Sequence, residues 1–174
     1  MLDISTKQKG VPAMQGDQKV IEYLNRGLKM ELTAINQYFL HSRLAYDWGY
    51  DVLGAKEYEE SIDEMRHADE FMQRILFLGG LPNLQELEKL NIGENVREMF
   101  QADLAGEQAS LELYREAAAY CDSVRDYASR ELFIKLIGDE EGHADWLETQ
   151  LELMDQLGEA NYLQTLVGGA SEGE

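Results

Sequence analysis

The stretch SIDEMRHADEF, residues 61–71, carries Glu64, Met65 and His67 within four positions and neither glycine nor proline, so it reads as helix interior. At about 100° per residue, positions three apart lie roughly 60° from one another on one helix face. Glu64 and His67 therefore point the same way, and Phe71 and Leu78 extend that face along the chain. Met65 stands about 100° from Glu64 and about 160° from His67, and must face elsewhere.

The pattern recurs. Glu140 and His143 repeat the Glu-x-x-His spacing on a face shared with Phe133, Leu136, Leu147 and Met154. Upstream, Leu24, Leu28, Glu31, Ile35 and Tyr38 form an apolar stripe at steps of four and three with a glutamate in one seat. Phe100, Leu104, Glu107, Leu111, Tyr114, Ala118 and Cys121 form another. These stripes mark core faces. Glu31 and Glu107 are 76 positions apart, as are Glu64 and Glu140, and His67 and His143. Leu24/Phe100, Leu28/Leu104, Ile35/Leu111, Tyr38/Tyr114 and Phe71/Leu147 keep the same offset. Two helical hairpins related by a pseudo-twofold axis follow.

The rest of the chain fits four long helices and a short one. We expect them over about 17–48, 53–78, 93–120, 124–157 and 159–166, with Asp17 as the first N-cap and Gly79-Gly80 before Pro82 ending the second. The connection GLPNLQELEKLNIG, residues 80–93, is long for adjacent antiparallel helices and predicts a crossover running along a bundle. Residues 1–16 and 168–174 read as flexible tails around a single domain over 17–167. With 174 residues, 44% of them hydrophobic, the chain can bury a proper core. A net charge of −19 argues against contact with phosphate backbones and for attraction of cations, although solubility alone accounts for much of it. The lone Cys121 cannot form an internal disulfide, and no apolar run is long enough to span a bilayer, so we expect a cytoplasmic protein.

Four carboxylates and two imidazoles meeting inside a bundle are destabilising unless compensated. Two divalent cations bring four positive charges against four glutamates, and mixed imidazole and carboxylate donors suit first-row metals such as iron, manganese or zinc. One Glu-x-x-His is a common accident of solvated helix surface. Two in matching core registers, each with a core glutamate 33 positions upstream, are specific. His41 lacks such company and reads as structural. Met65 forms, with Tyr58, Ile62, Met72 and Ile75, a second apolar strip, which implies a partner chain. Its thioether either packs there or ligates something there; periodicity does not choose.

The six residues match the pattern of ferritin-like dinuclear carboxylate bundles. The segments NRGLKMELTAINQYFLHSR, EYEESIDEMRHADEFMQRILFLGGLPNLQ and DEEGHADWLETQL resemble bacterioferritin, the haem-containing branch, over about residues 14–166. Residues 1–13 look like an N-terminal extension to that pattern. The resemblance implies an all-α, up-down-down-up four-helix bundle with a short fifth helix, assembled from twofold dimers into a 24-subunit shell, with or without a second subunit type. It implies iron storage and ferroxidase activity, with Fe(II) oxidised by O2 or H2O2 and kept as ferric mineral. Glu64 and Glu140 would bridge the irons, Glu31 and His67 would complete one site, and Glu107 and His143 the other. Tyr38 matches a tyrosine linked to electron transfer. Met65 matches the axial ligand of a haem b shared by two subunits. Leu81, Leu90, Glu94 and Glu98 match a docking surface for a [2Fe-2S] ferredoxin that supplies electrons for iron release. Gly79 and Glu59 depart from residues that relatives often carry near a pore and on the inner surface, which affects the iron entry route. The rival readings are a di-iron peroxidase or oxygenase, and a mainly structural haem-binding shell subunit.

Overall fold

The computed structural model describes residues 15–168; the flexible tails expected at the two termini lie almost wholly outside them. Helix α1 (Gln18–Asp47) starts where the Asp17 carboxylate accepts the backbone N–H groups of Lys19 and Val20, at 2.9 and 3.1 Å. A three-residue turn leads into α2 (Asp51–Phe77), which ends at Leu78 and at Gly79 in the left-handed region, φ 79°. Helix α3 (Val96–Ser123) begins three residues later than the apolar period suggests, because the Asn95 side chain caps Glu98 N–H at 2.9 Å. Helix α4 (Tyr127–Leu157) likewise begins after Asp126, which accepts from Ser129 N–H and Ser129 Oγ. Gly158 turns the chain into α5 (Glu159–Gln164), two residues shorter than expected.

The route between α2 and α3 is fixed by α1. Asn25, Thr33, Gln37 and His41 accept, in that order, the backbone N–H groups of Asn83, Glu88, Asn91 and Gly93 at 2.8–3.1 Å. The segment therefore runs parallel to α1, so α3 starts beside the C-terminal end of α1 and runs back antiparallel to it. The result is an up-down-down-up bundle. The hairpin partners α1/α2 and α3/α4 pack most extensively, and α1 against α3 joins them. None of the helices among the described residues is long and apolar enough to cross a membrane.

The core has two apolar ends. One holds Leu24, Leu28, Phe71, Tyr114, Phe133 and Leu136. There Phe71 lies so close to α1 that a Cβ on Gly27 would stand 2.5 Å from its ring, so only glycine fits. The other holds Leu53, Met99, Phe100, Leu147, Met154 and Tyr162, closed by α5. Ile75 belongs to the first end, fully buried, and not to the exposed strip of Tyr58 and Met65. Its side chain sits on the inward edge of α2, where the strip turns under. Polar groups lie between the two ends.

Candidate metal centre

Glu31, Glu64, His67, Glu107, Glu140 and His143 meet in that middle layer. The four glutamates are buried, none above 4% exposed. His67 Nδ1 stands 3.0 Å from Glu64 Oε2, 3.2 Å from Glu140 Oε1 and 3.8 Å from Glu31 Oε2. His143 Nδ1 stands 3.1 Å from Glu64 Oε1, 3.1 Å from Glu140 Oε2 and 3.8 Å from Glu107 Oε1. Two donor sets result, Glu31/Glu64/His67/Glu140 and Glu64/Glu107/Glu140/His143, each with its ligand atoms within 4.8 Å of one another. Glu64 and Glu140 belong to both, with one oxygen turned toward each imidazole. The two rings face each other at 6.1 Å.

Close approach is not the same as satisfaction. Glu64 Oε1, both Glu140 carboxylate oxygens and His143 Nδ1 are buried without an aligned hydrogen bond. Such orphaned groups are costly, and cations are what acceptor-only oxygens lack. The protons hold the metal-free state together. Burial, and then the charge of Glu64, push Glu31 and Glu107 well above the ordinary carboxyl range. Burial also opposes the charged form of Glu64, but hydrogen bonds from His143 and His67 outweigh it and hold its pKa low. The imidazoles resist burial in turn: contacts with Glu140, Glu31 and Glu64 lift His67 to about 12, and Glu107, Glu140 and Glu64 lift His143 further.

Tyr38 donates to Glu107 Oε1, and Tyr114, 76 positions on, donates to Glu31 Oε1. The role of Tyr114 could have been read from the repeat, which pairs it with Tyr38. On the far side of the rings His143 Nε2 lies 3.0 Å from Glu60 and His67 Nε2 3.4 Å from Asp139. Glu60 left no periodic signal, since Leu136 stands at its offset, whereas Asp139 repeats Asp63 and could have been read from the repeat. Asp63, His67, Asp139 and His143 border a pocket of about 520 Å³ open on the α2/α4 face. On the α1/α3 face a cavity of about 40 Å³ touches Glu31, Tyr38, Glu64 and Glu107.

Met65 faces away from the centre, 52% exposed, above a depression of about 520 Å³ bordered by Ile62, Arg66, Asp69, Glu70 and Met72. Leu81 is exposed on the crossover, with Glu94 and Glu98 also at the surface and Leu90 half-buried. His41 is not the isolated residue expected: its Nδ1 bonds Asp103 at 2.9 Å in a buried cluster with Glu57.

A bundle with one glutamate from each of two helices and a Glu-x-x-His from each of the others defines the ferritin-like class. The ferritin-like domain family matches residues 21–157. Bacterioferritin of Brucella melitensis is 52% identical over 161 residues, covering 92% of this chain and all of that protein. Bacterioferritin of Rhodobacter capsulatus is 57% identical over 145 residues, 83% of this chain and 90% of that one. Bacterioferritin BfrA of Mycobacterium tuberculosis is 52% identical over 149 residues, 86% and 94% of the two chains. A solved structure of the Rhodobacter capsulatus protein, described with a metal-free dinuclear site and haem iron, superposes with TM-score 0.90 over 92% of this chain and all of that one. The chain belongs to the bacterioferritin family.

Proposed function

We propose that this protein stores iron and is a ferroxidase, binding two Fe(II) ions at the buried centre and oxidising them. Family membership and the ferritin-like fold support iron storage. The observation that carries the ferroxidase reading is the set of six converging donors, among which Glu64 Oε1, both Glu140 oxygens and His143 Nδ1 lack hydrogen-bond partners. Glu64 and Glu140, facing both halves, bridge the ions; Glu31 with His67 and Glu107 with His143 complete the two sites. Each Fe(II) gives up one electron. The pair thus supplies the two that reduce O2 to H2O2, or H2O2 to water, with two protons taken up in either case. Tyr38, bonded to Glu107, is suited to relay electrons to the centre. Burial raises its pKa well above the ordinary value, which keeps the phenol protonated.

Met65 fits one axial ligand of a haem b shared by two subunits: its thioether is half-exposed on the strip that calls for a partner chain. The haem would supply a redox centre at that interface. A hollow shell of 24 subunits would hold the ferric product. Leu81, Leu90, Glu94 and Glu98 would receive a [2Fe-2S] ferredoxin for iron release, and the cytoplasm is the expected compartment.

Aerobic Fe(II) titration of the assembled protein tests the central reading. A ferroxidase that stores its product keeps many irons per chain soluble and sized with the protein. A di-iron peroxidase or oxygenase saturates at two per chain, and that result would reject storage.

A further inference from the structure

One break in the 76-residue repeat gathers several buried polar groups. At one end of the bundle Gly27, Leu113, Ala117 and Phe133 surround Phe71, which packs on Phe133 at 5.4 Å. Their counterparts 76 positions away, between the metal centre and the other apolar end, are Asp103, Gln37, His41 and Glu57, all buried. Asp103 Oδ1 accepts from Gln37 Nε2 at 2.7 Å, and Oδ2 from His41 Nδ1 at 2.9 Å. His41 Nε2 accepts Gly93 N–H at 3.1 Å, so the ring is neutral and both its nitrogens are engaged. A cation there would have to strip one of those bonds, so the cluster is not a metal site.

Glu57 is the unexplained member. It is 1% exposed, its Oε2 has no partner, and it lies beside Asp103 and His41. Burial first, and then the Asp103 charge, raise its pKa well above the ordinary range. The other ionisable groups near it are Lys56 and Glu60 on α2, which pair with each other, Tyr38 on α1 and Tyr162 on α5. Lys56 brings the one positive charge among them, but it is paired with Glu60, and burial and the Asp103 charge outweigh its pull on Glu57. Glu57 therefore favours its protonated form, and the Asp103 carboxylate is an acceptor within the same buried cluster. The cavity of about 40 Å³ that touches Glu31, Tyr38, Glu64 and Glu107 is also lined by Asp103 and Gln37. It is roomy enough for a water with polar partners on both sides, since one probe sphere needs about 10–15 Å³.

We propose that Glu57 and Asp103 are a buried proton donor to the oxidant reduced at the metal centre, acting through water in this cavity. The inference rests on the ferroxidase reading. Oxidation of two Fe(II) ions adds two positive charges to the centre, which favours loss of a proton from a neighbouring acid pair. The Glu57 O–H bond breaks and Asp103 gains the proton. Asp103 then protonates the water, which protonates the oxygen reduced by the two iron electrons. This is one of the two protons that the reduction consumes; the acid pair is left more negative by one charge and recovers it from solvent.

The test is Glu57→Gln in the assembled protein, with Asp103→Asn as a second variant. Glutamine keeps the volume and can donate N–H to Asp103, but has no proton to give. Co(II) titration should find two ions per chain in wild type and variant alike, and loss of that binding in wild type would reject the metal centre itself. The donor account expects Fe(II) oxidation about tenfold slower in the variants at neutral pH, below the usual range for acid–base catalysis because solvent can substitute. Their rates should fall further as pH rises, where wild type is flat. Oxidised-minus-reduced infrared spectra of wild type should show loss of a carboxylic-acid C=O band that Glu57→Gln lacks. Wild-type rates and pH profile in the variants, or an acid band unmoved by oxidation, would overturn the proposal.

Discussion

Tyr38 of α1 hydrogen-bonds Glu107 of α3, and Tyr114 of α3 hydrogen-bonds Glu31 of α1, so one exchange of phenol for carboxylate is made twice across the pseudo-twofold axis. Each bond ties one terminal glutamate of the centre to the opposite helix. Both phenols stay protonated because burial raises them well above the ordinary range.

Tyr114→Phe leaves Glu31 buried without that donor. An unsatisfied buried acceptor costs about 1–3 kcal/mol, so the metal-free variant should unfold at a lower temperature than wild type. Saturating Co(II) should narrow the gap, since a cation then satisfies the carboxylate. An equal loss with and without metal would mean that Tyr114 acts through packing alone.

The protons of the centre set its pH dependence. Glu31 and Glu107 keep theirs above the ordinary 4.5, and His67 keeps its proton up to about 12 rather than 6.5. The folded metal-free chain therefore binds more protons than the unfolded one, and its stability falls as pH rises above about 4.5. Metal ions need those groups deprotonated, so cation affinity moves the opposite way and binding releases protons. Thermal unfolding of metal-free and Co(II)-loaded protein across this range should give curves that diverge as pH increases. Parallel curves would contradict the proton–metal exchange.

Met65→Leu keeps the apolar surface and removes the thioether. Haem bound by the assembled protein, read from its Soret absorption, should be lost while Fe(II) oxidation continues at the wild-type rate. Undiminished haem content would move the axial ligand elsewhere.

Much of this was legible because two signals coincide. The apolar period sets the helices, and the 76-residue repeat singles out the glutamates and histidines that stand in apolar seats. Hydrogen bonds between segments leave no such trace. Asn25, Thr33 and Gln37 stand outside the apolar stripe of α1, yet they hold the crossover in place. His41 read as solitary because Asp103 and Glu57 reach it from other helices. The late starts of α3 and α4 come from Asn95 and Asp126, whose side chains outcompete one more helical turn. Ile75 shows that a helix face is settled by neighbours rather than by angle alone.

The most direct test is a crystal of the assembled protein soaked anaerobically in Fe(II) and measured at the iron absorption edge. The account predicts two anomalous peaks per chain: one among Glu31, Glu64, His67 and Glu140, the other among Glu64, Glu107, Glu140 and His143. A single peak, or iron bound only away from these six side chains, would contradict it.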